Sequence, residues 1–257
     1  MTALPGPLDR RRLARFVLEA AVMVSPLVVS ELLGRFALPS ERTAFDHAEQ
    51  IARLEHTLGV DVEHHVTAVA AAHPTLHTAA TGYYATVHFV GTAAAALTLA
   101  LLRPGRWAGM RTAFLVASGL ALVISRLWPL MPPNLAGPGI GSAGAVLPAS
   151  HPPNAYAAMP SLHTVWALWT AAALVLATRR TRPAVRWPVA VLGGAHVAAT
   201  VAIVLGLGHH FVADVLAGVA VAAAGAGGAA VVHARTRRGR RARSPRGPAT
   251  IQALVTA

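Results

Sequence analysis

Six apolar stretches run along the chain, at approximately 16–38, 79–102, 112–132, 162–178, 187–207 and 211–232. Each approaches the roughly 20 apolar residues that a helix needs to cross about 30 Å of hydrocarbon, where lipid offers unpaired backbone groups no partner. The pattern predicts an all-α fold, a polytopic membrane bundle of six transmembrane helices. The first stretch is the weakest, because Glu19, Glu31 and Arg35 interrupt it and Pro26 would kink it. Arg10, Arg11 and Arg12 ahead of an apolar run also have the outline of a signal peptide. The internal acids spoil that reading, and no small-x-small cleavage site follows. Between the first two stretches, residues 41–78 have helical patterning, with Ile51, Leu54, Leu58 and Val60 punctuated by Gly59. That segment reads as one or two short amphipathic helices on the membrane surface.

Composition supports lipid as the solvent. Of 257 residues, 54% are hydrophobic and only 12% charged, about half the charge of an ordinary soluble domain. Cysteine is absent, which excludes disulfides, thiolate metal sites and cysteine nucleophiles. Arginine placement then orients the bundle, since loops kept on the cytoplasmic side carry excess positive charge. With the N-terminus inside, 18 of the 22 arginines fall in the inner loops and tail, and six of the ten acids fall in the outer segment. This arrangement implies a multi-pass plasma-membrane protein with cytoplasmic N- and C-termini, the polar span ends near 131–161 and 208–214 facing outside. Residues 1–233 form one membrane domain. Residues 234–257, including the run RTRRGRRARSPRG, read as a disordered cytoplasmic tail that anchors topology and meets anionic headgroups, not nucleic acid.

Ionisable and polar groups at the outer ends of the spans demand an explanation, because lipid penalises them. Asp214 is the only carboxylate after Glu63, and it stands four residues beyond His210. On a helix the two side chains share a face. A carboxylate that accepts a hydrogen bond from one imidazole N–H leaves the other nitrogen free to act as nucleophile or base. The same spacing also suits a plain packing contact between helices. Ser161 sits where it can cap the fourth apolar helix. A hydroxyl beside the free N–H groups of a helix start is also an anion site, with His163 close by. Arg126 is the only arginine well inside an apolar run, so it either meets an anion or snorkels to the headgroups. Tyr84 and His88 share a face near the outer half of the second span. The Gly- and Pro-rich loop 131–161 is long enough to suggest function.

PSLH, followed by His210 in GHHFVAD, resembles the type 2 phosphatidic acid phosphatase superfamily, whose signature combines KxxxxxxRP, PSGH and SRxxxxxHxxxD. The variant here, NAYAAMPSLH with GHHFVAD, is closer to the branch that includes inositol phosphorylceramide synthases. The resemblance runs from about Leu58 to Gly218, with weaker echoes in LEHTLGVDVEHH, GYYATVHF and WPLMPPN. It implies the phosphatidic acid phosphatase/haloperoxidase-like fold and a lipid phosphatase or phosphotransferase. By that resemblance His210 attacks phosphorus to form a phosphohistidine, Asp214 orients its imidazole, His163 protonates the leaving oxygen and Ser161 holds a phosphate oxygen. Water as second acceptor gives a phosphatase, and an alcohol gives a phosphotransferase.

The chain departs from the signature at two phosphate ligands. Val204 stands where the SR arginine would fall, as it is also missing from the inositol phosphorylceramide synthase branch, and no KxxxxxxRP precedes the third span. A phosphate gathering charge in its transition state needs cationic or N–H donors. Arg126, His88, His209 and Asn134 are the available replacements. A two-metal phosphatase needs converging carboxylates, of which the spans offer one, and the pair His73 and His77 has neither an HExxH context nor a third ligand. The expectation is therefore metal- and cofactor-free chemistry on a phosphorylated lipid or isoprenoid diphosphate, within membrane lipid. A catalytically degenerate relative that binds or transports lipid is the alternative, and a purely structural bundle is a third.

Overall fold

The chain's computed structural model describes residues 10–36, 40–137, 140 and 154–243. The described residues form ten α-helices: α1 (Arg10–Phe36), α2 (Glu41–Leu58), α3 (Glu63–Ala72), α4 (Pro74–Gly82), α5 (His88–Leu102), α6 (Pro104–Leu127), α7 (Pro133–Ala136), α8 (Leu162–Thr178), α9 (Pro183–Gly206) and α10 (Val212–Arg243). A π-helical turn, Tyr83–Val87, joins α4 to α5. Five helices are long and apolar enough to cross a membrane: Val17–Arg35, Pro74–Leu102, Pro104–Leu127, Pro183–Gly206 and Val212–Thr236. The remaining apolar helix, α8, has 17 residues. At 1.5 Å per residue that is roughly 25 Å, short of a full hydrocarbon thickness.

Proline sets several boundaries that apolar runs alone misplace. Pro74, Pro104 and Pro183 each occupy the first turn of a helix, where a missing N–H costs nothing. The second crossing helix therefore starts at Pro74 and the third at Pro104, well before the apolar runs begin. The third run was expected to continue to 132, but α6 ends at Leu127 because Pro129 and Pro132 cannot continue it. The freed backbone pairs elsewhere. The Leu130 N–H donates to Tyr156 O at 2.8 Å, and the Ala158 N–H donates to Leu130 O at 3.2 Å. This short pairing delivers the chain to Ser161 at a defined place. Most of the long loop, 141–153, lies outside the described residues.

The bundle centres on α8, whose indoles point at its neighbours. Trp166 Nε1 donates to Ser118 Oγ of α6 at 3.0 Å, and Trp169 Nε1 donates to Met110 O at 2.7 Å. Thr170 Oγ1 donates to Thr92 Oγ1 of α5 at 3.0 Å. These bonds satisfy the polar atoms that the aromatic core buries. Helix α10 crosses α6 so closely that a Cβ on Gly225 would lie 2.8 Å from Ala113 O. Glu19, the acid that weakened the first apolar run, meets Trp107 Nε1 at 3.0 Å and Arg111 on α6. Pairing is what makes a carboxylate tolerable there.

The outer segment forms two helices, α2 and α3, separated at Gly59 by a left-handed turn with φ 67°. Ser40 caps α2 by accepting from the Thr43 N–H. The pair packs on the bundle as well as presenting an outer surface: Ala44 and Ala48 are fully buried, and Met131 N–H donates to Ala44 O at 3.1 Å. At the other end, α10 remains helical to Arg243, whereas disorder was expected from 234. Alanine and arginine are strong helix formers, and extending an existing helix needs no new nucleus. Residues 244–257 lie outside the described residues.

Candidate active site

Two helix starts converge on one point. Ser161 caps α8, its Oγ accepting from the Thr164 N–H at 3.3 Å and from Thr164 Oγ1 at 3.1 Å. That leaves the Ser161 hydroxyl proton free to donate. The Ser161 N–H reaches across to the main-chain oxygen of Asp214 on α10, at 3.0 Å. One turn further along α10, a Cβ on Gly218 would sit 2.8 Å from Ser161 O. Only glycine permits this approach, so the two helices are locked together at the site.

On that frame the His210–Asp214 pair takes the geometry that helical spacing anticipates. Asp214 is fully buried, and its Oδ2 lies 3.2 Å from His210 Nδ1 while also accepting from the Phe211 N–H at 2.9 Å. Proton donation from Nδ1 leaves His210 Nε2 with an unshared lone pair.

Aromatic stacking assembles the remaining rings around it. His163 lies 6.0 Å from His210, 5.0 Å from His88 and 4.4 Å from Tyr84, centroid to centroid. Tyr84 also contacts His209 at 4.6 Å. The π turn carries Tyr84, and α5 opens with His88, which is 1% exposed and has no hydrogen-bond partner at either ring nitrogen. Such a burial costs about 1–3 kcal/mol, so stability does not explain this imidazole. Asn134 joins from α7: its Nδ2 lies 3.1 Å from His209 Nδ1, and its N–H donates to Gly208 O at 2.8 Å. Gly208 has φ 67°, a conformation that lets the chain turn sharply from α9 into the two histidines. Burial pushes His209 down to about 4, so the ring is neutral. With Nδ1 accepting from Asn134, its proton resides on Nε2, leaving an N–H donor.

His210, Asp214, His163, Ser161, Tyr84, His88, His209 and Asn134 thus form one connected constellation. Arg126 does not join it through a described hydrogen bond or ring contact. It lies half-buried in the last turn of α6 and is not without a partner. Val204, where a phosphate-binding arginine would stand, is fully buried in an apolar cluster with Leu205 and Val215. Among the described residues, no group of three or more His, Asp or Glu side chains is arranged to hold a metal ion.

Two residues of the outer segment reach this region without any local sequence signal. Glu63 Oε1 accepts from the Val212 N–H and Glu55 Oε1 from the Ala213 N–H, both at 2.6 Å. In the sequence they resemble ordinary acids of a solvated helix face; only their partners, about 150 residues away, distinguish them. With Asp214 on Phe211, carboxylates fill the first turn of α10. The other helix start differs: among the described residues, nothing accepts from the N–H groups of Leu162 or His163. An anion approaching the rings therefore meets free donors on α8.

Comparison with known proteins agrees with the signature motifs. A family model described as the PAP2 superfamily matches residues 49–228, from within α2 to within α10. No curated protein and no solved structure matches the chain.

Proposed function

The chain belongs to the PAP2 superfamily, and from that premise we propose that it is an integral-membrane lipid phosphatase or phosphotransferase working through a phosphohistidine on His210. The observation that carries this reading is the double use of Asp214. Its carboxylate takes the Nδ1 side of His210, and its main-chain oxygen takes the N–H of Ser161, so nucleophile and anion site are held by one residue.

The substrate phosphate lies at the start of α8, against the N–H groups of Leu162 and His163, the Ser161 hydroxyl and the Nε2–H of His209. His210 Nε2 gives its lone pair to phosphorus as the ester or anhydride P–O bond breaks, and His163, which takes up a proton as the anionic phosphate enters beside it, gives that proton to the departing oxygen. Water or an alcohol then attacks phosphorus, giving its proton to His163; the new P–O bond forms as the P–N bond breaks, and the lone pair returns to His210 Nε2. In a desolvated site such N–H donors stabilise developing charge strongly, and Arg126 is the candidate cation beside them. No step calls for a metal.

The finer reading places the chain in the inositol phosphorylceramide synthase-like branch, with six crossings including α8, cytoplasmic termini and the site open to the outer leaflet of the plasma membrane. The lipid tail stays in the leaflet while the phosphate enters between Ser161 and His210. A second reading, a degenerate relative that binds or moves lipid, is favoured by the apolar surroundings of Val204. Purified protein offered a panel of phospholipids and isoprenoid diphosphates separates the two. Phosphate release or transfer by the native chain, abolished in His210→Ala, supports catalysis; equal yields from the native chain, His210→Ala and Asp214→Asn defeat it.

A further inference from the structure

The first turn of α10 meets more carboxyl groups than a helix start needs. Carboxylates near that end are favourable, typically by 0.3–1 kcal/mol each, but one cap commonly suffices. Here Asp214, Glu63 and Glu55 accept from three consecutive N–H groups, those of Phe211, Val212 and Ala213. Glu55 and Glu63 are 3% and 2% exposed, and they come from two different helices of the outer segment. Burying two carboxylates side by side is costly unless they do something that a single local cap cannot.

Resting on the phosphoryl-transfer reading above, we infer that Glu55 and Glu63 are positioning residues: they clamp the start of α10 from outside and so hold His210 in line with the start of α8. The tie is short. Val212 and Ala213 follow His210 by two and three residues, and a shift of their N–H groups moves the imidazole directly. Displacements of about 1 Å near a reacting atom cost on the order of 100-fold in rate.

The clamp is built to hold one proton. Burial pushes Glu55 up to about 9, repulsion from Glu63 and Asp214 acts the same way, and the Ala213 N–H opposes. At neutral pH the Glu55 carboxyl thus keeps its proton. The two line a cavity of about 640 Å³ together with Glu49, Arg53, His56, Asp61 and His64 of α2, α3 and their turn, and Phe211, just before α10, forms another wall. That cavity gives the pair contact with water for proton exchange. When the Glu55 proton leaves, the new charge is repelled by Glu63 and Asp214 and the clamp loosens.

The full-length protein in lipid vesicles tests this with dioctanoyl phosphatidic acid and farnesyl diphosphate as probes, alongside amide hydrogen exchange of residues 207–216. Glu55→Ala and Glu63→Ala should lower kcat about 10- to 100-fold with KM within about twofold, and should speed exchange in that segment. Glu55→Gln keeps an acceptor for the Ala213 N–H and cannot ionise. It should restore kcat and exchange protection, and should abolish the wild-type decline in kcat as pH rises through about 9. Alanine variants with native kcat and native protection overturn the proposal, as does a glutamine variant as impaired as alanine or one that keeps the alkaline decline. Should an alanine variant fail to fold, the glutamine variant decides alone. If the native chain turns over neither probe, the phosphoryl reading fails while the exchange rates still judge the clamp.

Discussion

The N–H of Ser161 donates to the main-chain oxygen of Asp214 at 3.0 Å, joining the start of α8 to the first turn of α10 across 53 residues of sequence. The bond couples two events that would otherwise be independent, the aiming of His210 and the placement of the α8 N–H groups. The following expectations rest on that coupling and on the packing beneath it.

Asp214→Asn should leave the protein folded, since an amide oxygen still accepts from the Phe211 N–H, yet it permits the wrong imidazole tautomer at His210. Carboxylate-to-amide changes of this kind cost on the order of 10⁴-fold in a serine protease, the handed-down precedent for a carboxylate-oriented histidine. Initial rates of phosphate release should fall by at least about 100-fold. A variant within tenfold of native would remove the orienting role.

Metal removal should leave turnover intact. Prolonged dialysis against EDTA is expected to change kcat by less than about twofold, because nucleophile, acid and N–H donors all come from the chain. Orthovanadate, which adopts pentacoordinate geometry, should inhibit competitively. Restoration of a chelated sample by Mg²⁺ or Zn²⁺ would contradict the scheme.

Glycines separate fold from site. A Cβ on Gly218 would meet Ser161 O at 2.8 Å and Thr164 Cβ at 3.1 Å, whereas one on Gly225 would meet Ala113 O at 2.8 Å and Ala117 Cβ at 2.6 Å, remote from the rings. Both alanine variants should lose about 1–3 kcal/mol through overpacking. Only Gly218→Ala should also lower kcat of the folded fraction, because it pushes on the start of α8. Gly227→Ala, with nothing within 4 Å, should be neutral or gain up to about 1 kcal/mol in helix propensity. Thermal melts with parallel rates distinguish the three.

Acid should weaken the fold through His209. Burial lowers this histidine from 6.5 to about 4, so the unfolded chain binds a proton that the folded chain refuses. Stability from this group is complete above pH 6.5 and declines as pH falls toward 4, by a total on the order of 3 kcal/mol. His209→Gln should flatten melting temperature across that interval. An unchanged slope would place the proton elsewhere.

Removing a core acceptor should cost stability without touching chemistry. Ser118→Ala strands the buried Trp166 Nε1–H, worth about 1–3 kcal/mol. Trp166→Phe in the same background should recover part of that loss, and a double-mutant cycle of melts measures it.

What was legible in the residue order is what short-range rules govern. Apolar runs of membrane length, Ser161 as a cap, the break at Gly59 and the shared face of His210 and Asp214 all follow from one helical repeat or one φ angle. Tertiary structure decided everything that depends on residues far apart in the chain. It placed the Asn134 amide on His209 and brought Tyr84 and His88 against His163. It also turned Glu55 and Glu63 from apparent surface acids into buried partners of α10. A carboxylate's meaning depends on which N–H it meets, and no local pattern encodes a meeting between helices at opposite ends of the chain. Packing of the whole bundle determines it.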